Sequence, residues 1–201
     1  CGFPGCDGFA KAVVEGKTKV DGCSAGGAKV AKAVAEIMGV EVSASAPVAA
    51  RVICQGESGV ARERYEYDGY RSCLMASQMA GGPKVCPYAC VGLGDCADVC
   101  HFDAIHIENG LAVIDPEKCT ACGNCVNACP RHVIQLKPKD ASVIVRCRNA
   151  DTGRVAREAC MKACIGCKRC EKECKYDAIH VVDGFARIDT DKCTRCGACA
   201  A

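Results

Sequence analysis

The chain has no tryptophan, and aromatic residues make up only 4% of its 201 residues. A core built on large rings is therefore out of reach for a sequence of this length. No apolar run approaches the ~20 residues that cross a bilayer, and no charged-then-apolar leader opens the chain. Net charge is only +2, with lysine and arginine interspersed among acids. That is a solvated surface without the basic footprint of a nucleic-acid binder. No G-x-G-x-x-G opens a helix after a strand, so nothing reads as a flavin or nucleotide site.

What is abundant is cysteine, at 22 residues. Disulfides, zinc and iron–sulfur clusters each explain such a count. Disulfides suit small secreted proteins, and no secretory leader supports that here. Structural zinc wants four ligands, commonly two C-x2-C pairs. The stretch Cys119-Thr-Ala-Cys122-Gly-Asn-Cys125-Val-Asn-Ala-Cys129-Pro130 does not divide that way. It reads C-x2-C-x2-C-x3-C-P, the spacing that wraps a [4Fe–4S] cubane, with the fourth thiolate serving a neighbouring cluster. This favours iron–sulfur chemistry and a reducing, cytoplasmic-side compartment.

The pattern repeats. Adding 74 carries Cys73, Cys86, Cys90, Cys96 and Cys100 onto Cys147, Cys160, Cys164, Cys170 and Cys174, and Cys119, Cys122 and Cys125 onto Cys193, Cys196 and Cys199. Eight cysteines in register at one offset mark two copies of one module. Each copy carries a hairpin signal, Asn109-Gly110 in the first and Asp183-Gly184 in the second, between short apolar strands. A short helix is expected in the residues after each third-to-fourth cysteine step. A module of about 60 residues is marginal on apolar burial alone, so the clusters stand in for a core.

By the crossing rule Cys100 joins Cys119, Cys122 and Cys125. Cys129 joins Cys90 and Cys96, where Leu93 occupies the middle position and Cys86 is the natural replacement. In the second module Cys174 joins Cys193, Cys196 and Cys199, while Cys164, Cys167 and Cys170 await a cysteine expected past Ala201. Cys54, Cys73, Cys147 and Cys160 stay unassigned, as buried free thiols, an additional metal site or a paired thiol. Tyr65, Tyr67 and Tyr70 read as local packing more readily than as a cofactor stack. His106 and His180 read as surface residues.

The opening Cys1-Gly-Phe-Pro-Gly-Cys6, followed by Cys23, is an incomplete cubane set in a tight glycine-rich loop. Ala28 to Met38 reads as a helix with Val30, Val34, Ile37 and Met38 on one face and Gly39 as its stop. Residues 41–72 read as a connecting segment, with a short strand from Val48 to Cys54. The expected organisation is α+β: a small N-terminal iron–sulfur domain (1–40), a connecting segment (41–72) and two tandem bacterial-type 2[4Fe–4S] ferredoxin modules (73–146 and 147–201). Both ends are expected to be cut.

This order of elements resembles the B subunit of the Rnf complex, the membrane ferredoxin:NAD oxidoreductase, in its long clostridial-type form. The resemblance rests on Cys1-Gly-Phe-Pro-Gly-Cys6-Asp-Gly-Phe-Ala, on Cys86-Pro-Tyr-Ala-Cys90-Val-Gly-Leu-Gly-Asp-Cys96 and on Cys164-Ile-Gly-Cys167. It implies that Cys1, Cys6 and Cys23 are the second, third and fourth ligands of an N-terminal cluster. It implies about five [4Fe–4S] clusters, electron exchange with soluble ferredoxin, and partnership with the complex's other membrane and peripheral subunits. It further implies placement at the cytoplasmic side of the cell membrane through a segment before Cys1. Ion translocation and NAD reduction would lie elsewhere in that complex, with no substrate chemistry on this chain. A soluble polyferredoxin carrier, or the iron–sulfur subunit of a corrinoid or CO-dehydrogenase-type enzyme, are the competing classes.

Overall fold

The computed structural model describes residues 3–23, 26–41 and 47–200, so Cys1 lies outside the described residues. Helix α1 (Cys6–Val14) follows Gly5, whose φ of +89° makes the tight entry that the opening glycines require. It buries Phe9, Ala12 and Val13. Phe9 lies so near Gly22 that a Cβ there would stand 3.2 Å from its ring, which holds the Cys23 turn against the helix. This helix was not expected from the sequence. Helix α2 (Gly27–Met38) ends as expected on a left-handed Gly39. It buries Ala31 and Ala35, however, and leaves Ile37 83% exposed. Of the expected apolar stripe Val34 is half-buried, while Val30, Ile37 and Met38 stay exposed.

Strand β1 (Val48–Val52) pairs antiparallel with β4 (Ile134–Pro138), from Val48 opposite Pro138 to Val52 opposite Ile134. The segment 41–72 thus supplies the partner of the strand that follows Cys129. Between these strands lie α3 (Cys73–Gln78), α4 (Asp95–Asp98), the hairpin β2 (Ile105–Glu108) and β3 (Leu111–Ile114), and α5 (Asn124–Ala128). Asn109 and Gly110 both take positive φ, 47° and 69°, as the two-residue turn demands.

The second module opens with α6 (Gly153–Ala159), which does not correspond to α3 at the offset of 74; α7 (Arg169–Glu173), the hairpin β5 (Ile179–Val182) and β6 (Phe185–Ile188), and a terminal 3-10 turn (Ala198–Ala200) do repeat α4, β2, β3 and α5. Surface pairs repeat too: Lys118 meets Asp103 at 2.9 Å and Lys192 meets Asp177 at 3.2 Å. The first module's interior is made of cysteine, alanine and a few aliphatic side chains, among them Cys90, Cys96, Cys125, Cys129, Ile105 and Ile134. The sulfurs occupy the place of a core.

The modules join through residues 57–64. Arg62 N donates to Ala159 O at 2.9 Å, and Met161 N donates to Val60 O at 3.1 Å. On the other side Val85 N donates to Arg62 O at 2.8 Å, and Arg64 N donates to Pro83 O at 2.6 Å. This short extended stretch therefore places Cys86 and Cys160 on either flank of one backbone. A Lys162–Glu57 ion pair at 3.0 Å closes the same contact. Among the described residues no helix is long and apolar enough to cross a membrane.

Candidate metal centres

The described cysteines are all free. Among the described residues no three metal-binding side chains close on one point as a single ion would require. The thiols instead ring small cavities. Cys100, Cys119, Cys122 and Cys125 line one, and Cys174, Cys193, Cys196 and Cys199 line another. These are the two crossed sets expected from spacing.

The local structure explains each arrangement. Gly123 and its counterpart Gly197 take φ of +85° and +79°, turning the chain after the second cysteine so that the third points back into the cavity. Helix α5 then carries Cys125 inward. Ala50 on β1 donates its N–H to Cys119 Sγ at 3.3 Å, and Ala121 N does so at 3.4 Å. In the second module Ala178 N donates to Cys174 Sγ at 3.4 Å. N–H groups aimed at sulfur favour the thiolate, and the Cys174 thiol is accordingly held below its ordinary range by such bonds, led by Ala178 and Tyr176. Burial works the other way on Cys125, which is pushed up to about 11, with Cys119, Cys122 and Cys100 adding their charge.

The third set departs from the spacing argument. Cys96 is pushed up to about 12, first by burial and then by the neighbouring sulfurs of Cys90, Cys73, Cys129 and Cys125. Cys73, unassigned from sequence, stands beside Cys90 and Cys96. Leu93 packs against the small cluster formed by Cys73, Ala76 and Val91. The anchor is Asp95, whose carboxylate accepts Cys73 N at 2.7 Å, Leu74 N at 3.1 Å and Ser72 Oγ at 3.1 Å. Burial alone would raise that carboxyl; the Cys73 and Leu74 N–H groups and the Ser72 hydroxyl hold it below its usual range.

Cys86, expected with Cys90, Cys96 and Cys129, faces a different group. Burial pushes it up to about 11, and Cys54 and Cys147 are the sulfurs that add to the effect. Cys54, Cys86, Cys147 and Cys160 line a further cavity. In the second module Cys170 is raised by burial and then by Cys164 and Cys167, which places those three together.

Cys6 begins α1 and is exposed, while Cys23 is half-buried. The tyrosines pack locally: Tyr65 donates to Met79 O at 2.5 Å and Tyr67 to Tyr70 O at 2.9 Å. His180 lies at the surface within 3.5 Å of Glu171 and Asp177. Two polar residues carry no signal that spacing alone exposes. Lys84 is buried and donates to Gly56 O at 2.6 Å and Gly110 O at 2.7 Å. Asn149 is 1% exposed and donates through Nδ2 to Cys86 Sγ at 3.3 Å. The one hint for Asn149 is its place two residues after Cys147.

A cubane needs thiolates around a volume, N–H donors to sulfur and little water. The cavities above meet those needs.

Comparison with known proteins agrees. A 4Fe-4S binding domain model matches residues 112–135, a second matches 161–177 and 190–201, and a putative Fe-S cluster model matches 1–25. The B subunit of the Na(+)-translocating ferredoxin:NAD(+) oxidoreductase complex of Acetobacterium woodii is 50% identical over 99% of this chain. The chain spans 60% of that protein's length. The B subunit of the ion-translocating oxidoreductase complex of Methanosarcina acetivorans is 42% identical over 100% of the chain and 76% of its own length. The B subunit of the proton-translocating ferredoxin:NAD(+) oxidoreductase complex of Clostridium ljungdahlii is 39% identical over 98% of the chain and 70% of its own. Identity of 39–50% over nearly the whole chain places it in the B-subunit family of ion-translocating ferredoxin:NAD(+) oxidoreductase complexes.

Proposed function

We propose that this chain is the electron-transfer subunit of an Rnf-type complex, relaying single electrons between soluble ferredoxin and the redox subunits of the membrane. The observation that carries the reading is the set of cysteine-lined cavities strung through both modules, two of them lined by crossed sets of four cysteines. When bound there, [4Fe–4S] clusters supply one-electron couples. The chain's residues do the rest. Cys100, Cys119, Cys122 and Cys125 hold one cluster, and Cys174, Cys193, Cys196 and Cys199 a second. Cys73, Cys90, Cys96 and Cys129 hold a third; Cys164, Cys167 and Cys170 hold a fourth. Cys1, Cys6 and Cys23 belong to a fifth, in the N-terminal domain.

Backbone N–H groups directed at Cys119 and Cys174 and the alanine-lined interior tune the sites by hydrogen bonding and exclusion of water. Low potentials, on the order of −400 mV, follow for ferredoxin-like sites. The ferredoxin modules meet the soluble partner, and the N-terminal domain faces the membrane subunits on the cytoplasmic side of the cell membrane.

The test is iron and acid-labile sulfide in the anaerobically purified full-length protein, with electron paramagnetic resonance after addition of reduced ferredoxin. Stoichiometric iron and sulfide with fast reduction by ferredoxin is the expected result. Zinc without sulfide, or clusters that ferredoxin does not reduce, would overturn it.

A further inference from the structure

We propose that Cys54, Cys86, Cys147 and Cys160 hold a further [4Fe–4S] cluster, seated between the two ferredoxin modules and joining them into one conductor. The inference rests on the reading of the chain as an iron–sulfur carrier and adds a site that the spacing rule does not contain.

The four thiols come from four separate segments: the loop after β1, the residues preceding Cys90, the connector between modules, and the end of α6. They line one cavity, as the four cysteines of each crossed set do. Four sulfurs on one wall is the arrangement those sites offer a cubane.

Buried free thiols would behave as small hydrophobes and need no hydrogen bonds. These four all accept them. Cys54 Sγ takes Gly56 N at 3.3 Å and Cys90 N at 3.4 Å, and Cys147 Sγ takes Cys164 N at 3.3 Å. Cys86 Sγ takes the fully buried Asn149 side chain at 3.3 Å and a backbone donor at Tyr88. Cys160 takes a backbone donor at Lys162. Committing a buried amide side chain to a sulfur is costly unless that sulfur carries charge.

The repeat supplies the logic. Cys73 and Cys147 correspond at the offset of 74, as do Leu93 and Cys167. In the first module Cys73 fills the gap left by Leu93, which frees Cys86. In the second, Cys167 is present, which frees both Cys147 and Cys160. Cys54 completes the four, and with this site every cysteine of the chain has a cluster to serve.

Two of the hydrogen bonds lead outward. Cys90, a ligand of the first module's cluster, donates to Cys54, and Cys164, a ligand of the second's, donates to Cys147. The bridging site is thus one N–H···S contact from a ligand on each side. The step is one electron alone: the neighbouring cluster is oxidised by one as the bridging cluster is reduced by one, with no bond made or broken and no proton moved.

The experiment compares full-length wild type with the Cys54→Ala/Cys160→Ala double variant, by iron, acid-labile sulfide and electron paramagnetic resonance. Loss of about four irons and four sulfides, with the other cluster signals kept, is expected. Unchanged iron and sulfide would overturn the bridging cluster while leaving the electron-transfer reading intact. Loss from several clusters together would mark a merely structural thiol set and overturn it too. Should the double variant fail to fold, Cys147→Ser decides. A shifted or missing signal from one cluster supports the site, and an unaltered spectrum and iron content removes it. Wild type lacking sulfide altogether would instead sink the underlying reading.

Discussion

Asp95 accepts the backbone N–H of Cys73 at 2.7 Å through one carboxylate oxygen and that of Leu74 at 3.1 Å through the other. One side chain at the start of α4 thereby caps α3 and sets Cys73 beside Cys96. The corresponding residue in the second repeat is Arg169, whose guanidinium has no acceptor to offer. There Cys147 lies in an extended connector and turns towards Cys86 instead of Cys170. A single acid-to-base difference accompanies the divergence of the two repeats.

Replacing Asp95 with alanine removes a charged double cap. Loss of a cap costs about 1 kcal/mol, and a charged hydrogen bond about 1.5–3 kcal/mol. Asp95→Ala should lose roughly 2–3 kcal/mol against anaerobic denaturant, with iron depleted from the first module. Unchanged denaturation and iron content would show that Cys73 is placed by something else.

Gly92 and Gly110 touch across the hairpin turn. A Cβ on Gly92 would collide with the Gly110 carbonyl oxygen, and Gly92 sits at φ +83°. The repeat reproduces the contact less tightly, with 2.9 Å from a Cβ on Gly166 to the Gly184 oxygen and φ +67°. Alanine at either place carries about 1–2 kcal/mol of left-handed strain, and at Gly92 backbone must also move. Gly92→Ala should lower the melting temperature more than Gly166→Ala, as followed by circular dichroism. Equal effects would mean that the tight contact relaxes freely.

What was legible in the sequence was local. Cysteine spacing, the 74-residue offset and the Asn-Gly and Asp-Gly turns each act within a few residues, and the cysteines of the Cys100 and Cys174 sets each line a common cavity. The pairing of β1 with β4 and the docking of residues 57–64 on Cys160 depend on chain segments far apart, so nothing near Cys54 announced its neighbours. Cys86 was the replacement that spacing offered for the Leu93 gap and Cys73 was left unassigned, although Asp95 against Arg169 across the repeat was a readable difference. Helix α2 was placed correctly from periodicity, but its apolar stripe could not say whether a partner covers it.

Lys84 is 5% exposed and spans from Gly56 to Gly110. Its charge also favours the thiolates of Cys90 and Cys160. A buried cation beside a redox site stabilises the more negative, reduced state, and its removal makes reduction harder. Lys84→Met should therefore shift the potential of the neighbouring sites downward by tens of millivolts, on the order expected for about 1 kcal/mol and a one-electron couple. Redox titration monitored by electron paramagnetic resonance reads this directly. An upward shift, or none, would mean that the ammonium acts only as a brace for the two carbonyls.

The two modules should also fail separately. Cys122 lines the cavity with Cys100, Cys119 and Cys125, and Cys196 lines its counterpart with Cys174, Cys193 and Cys199. Each set is built from its own module's loop and helix, save for the β1 N–H given to Cys119. Cys122→Ser should disturb one cluster of the first module and spare those of the second, and Cys196→Ser should do the reverse. The connector between them, held by the 57–64 stretch, would transmit strain only if the modules folded as one cooperative unit. Spectra of reduced wild type and both variants distinguish these cases. Simultaneous loss of every cluster signal in Cys122→Ser would show that the cores are interdependent and that the inter-module contact carries folding as well as electrons.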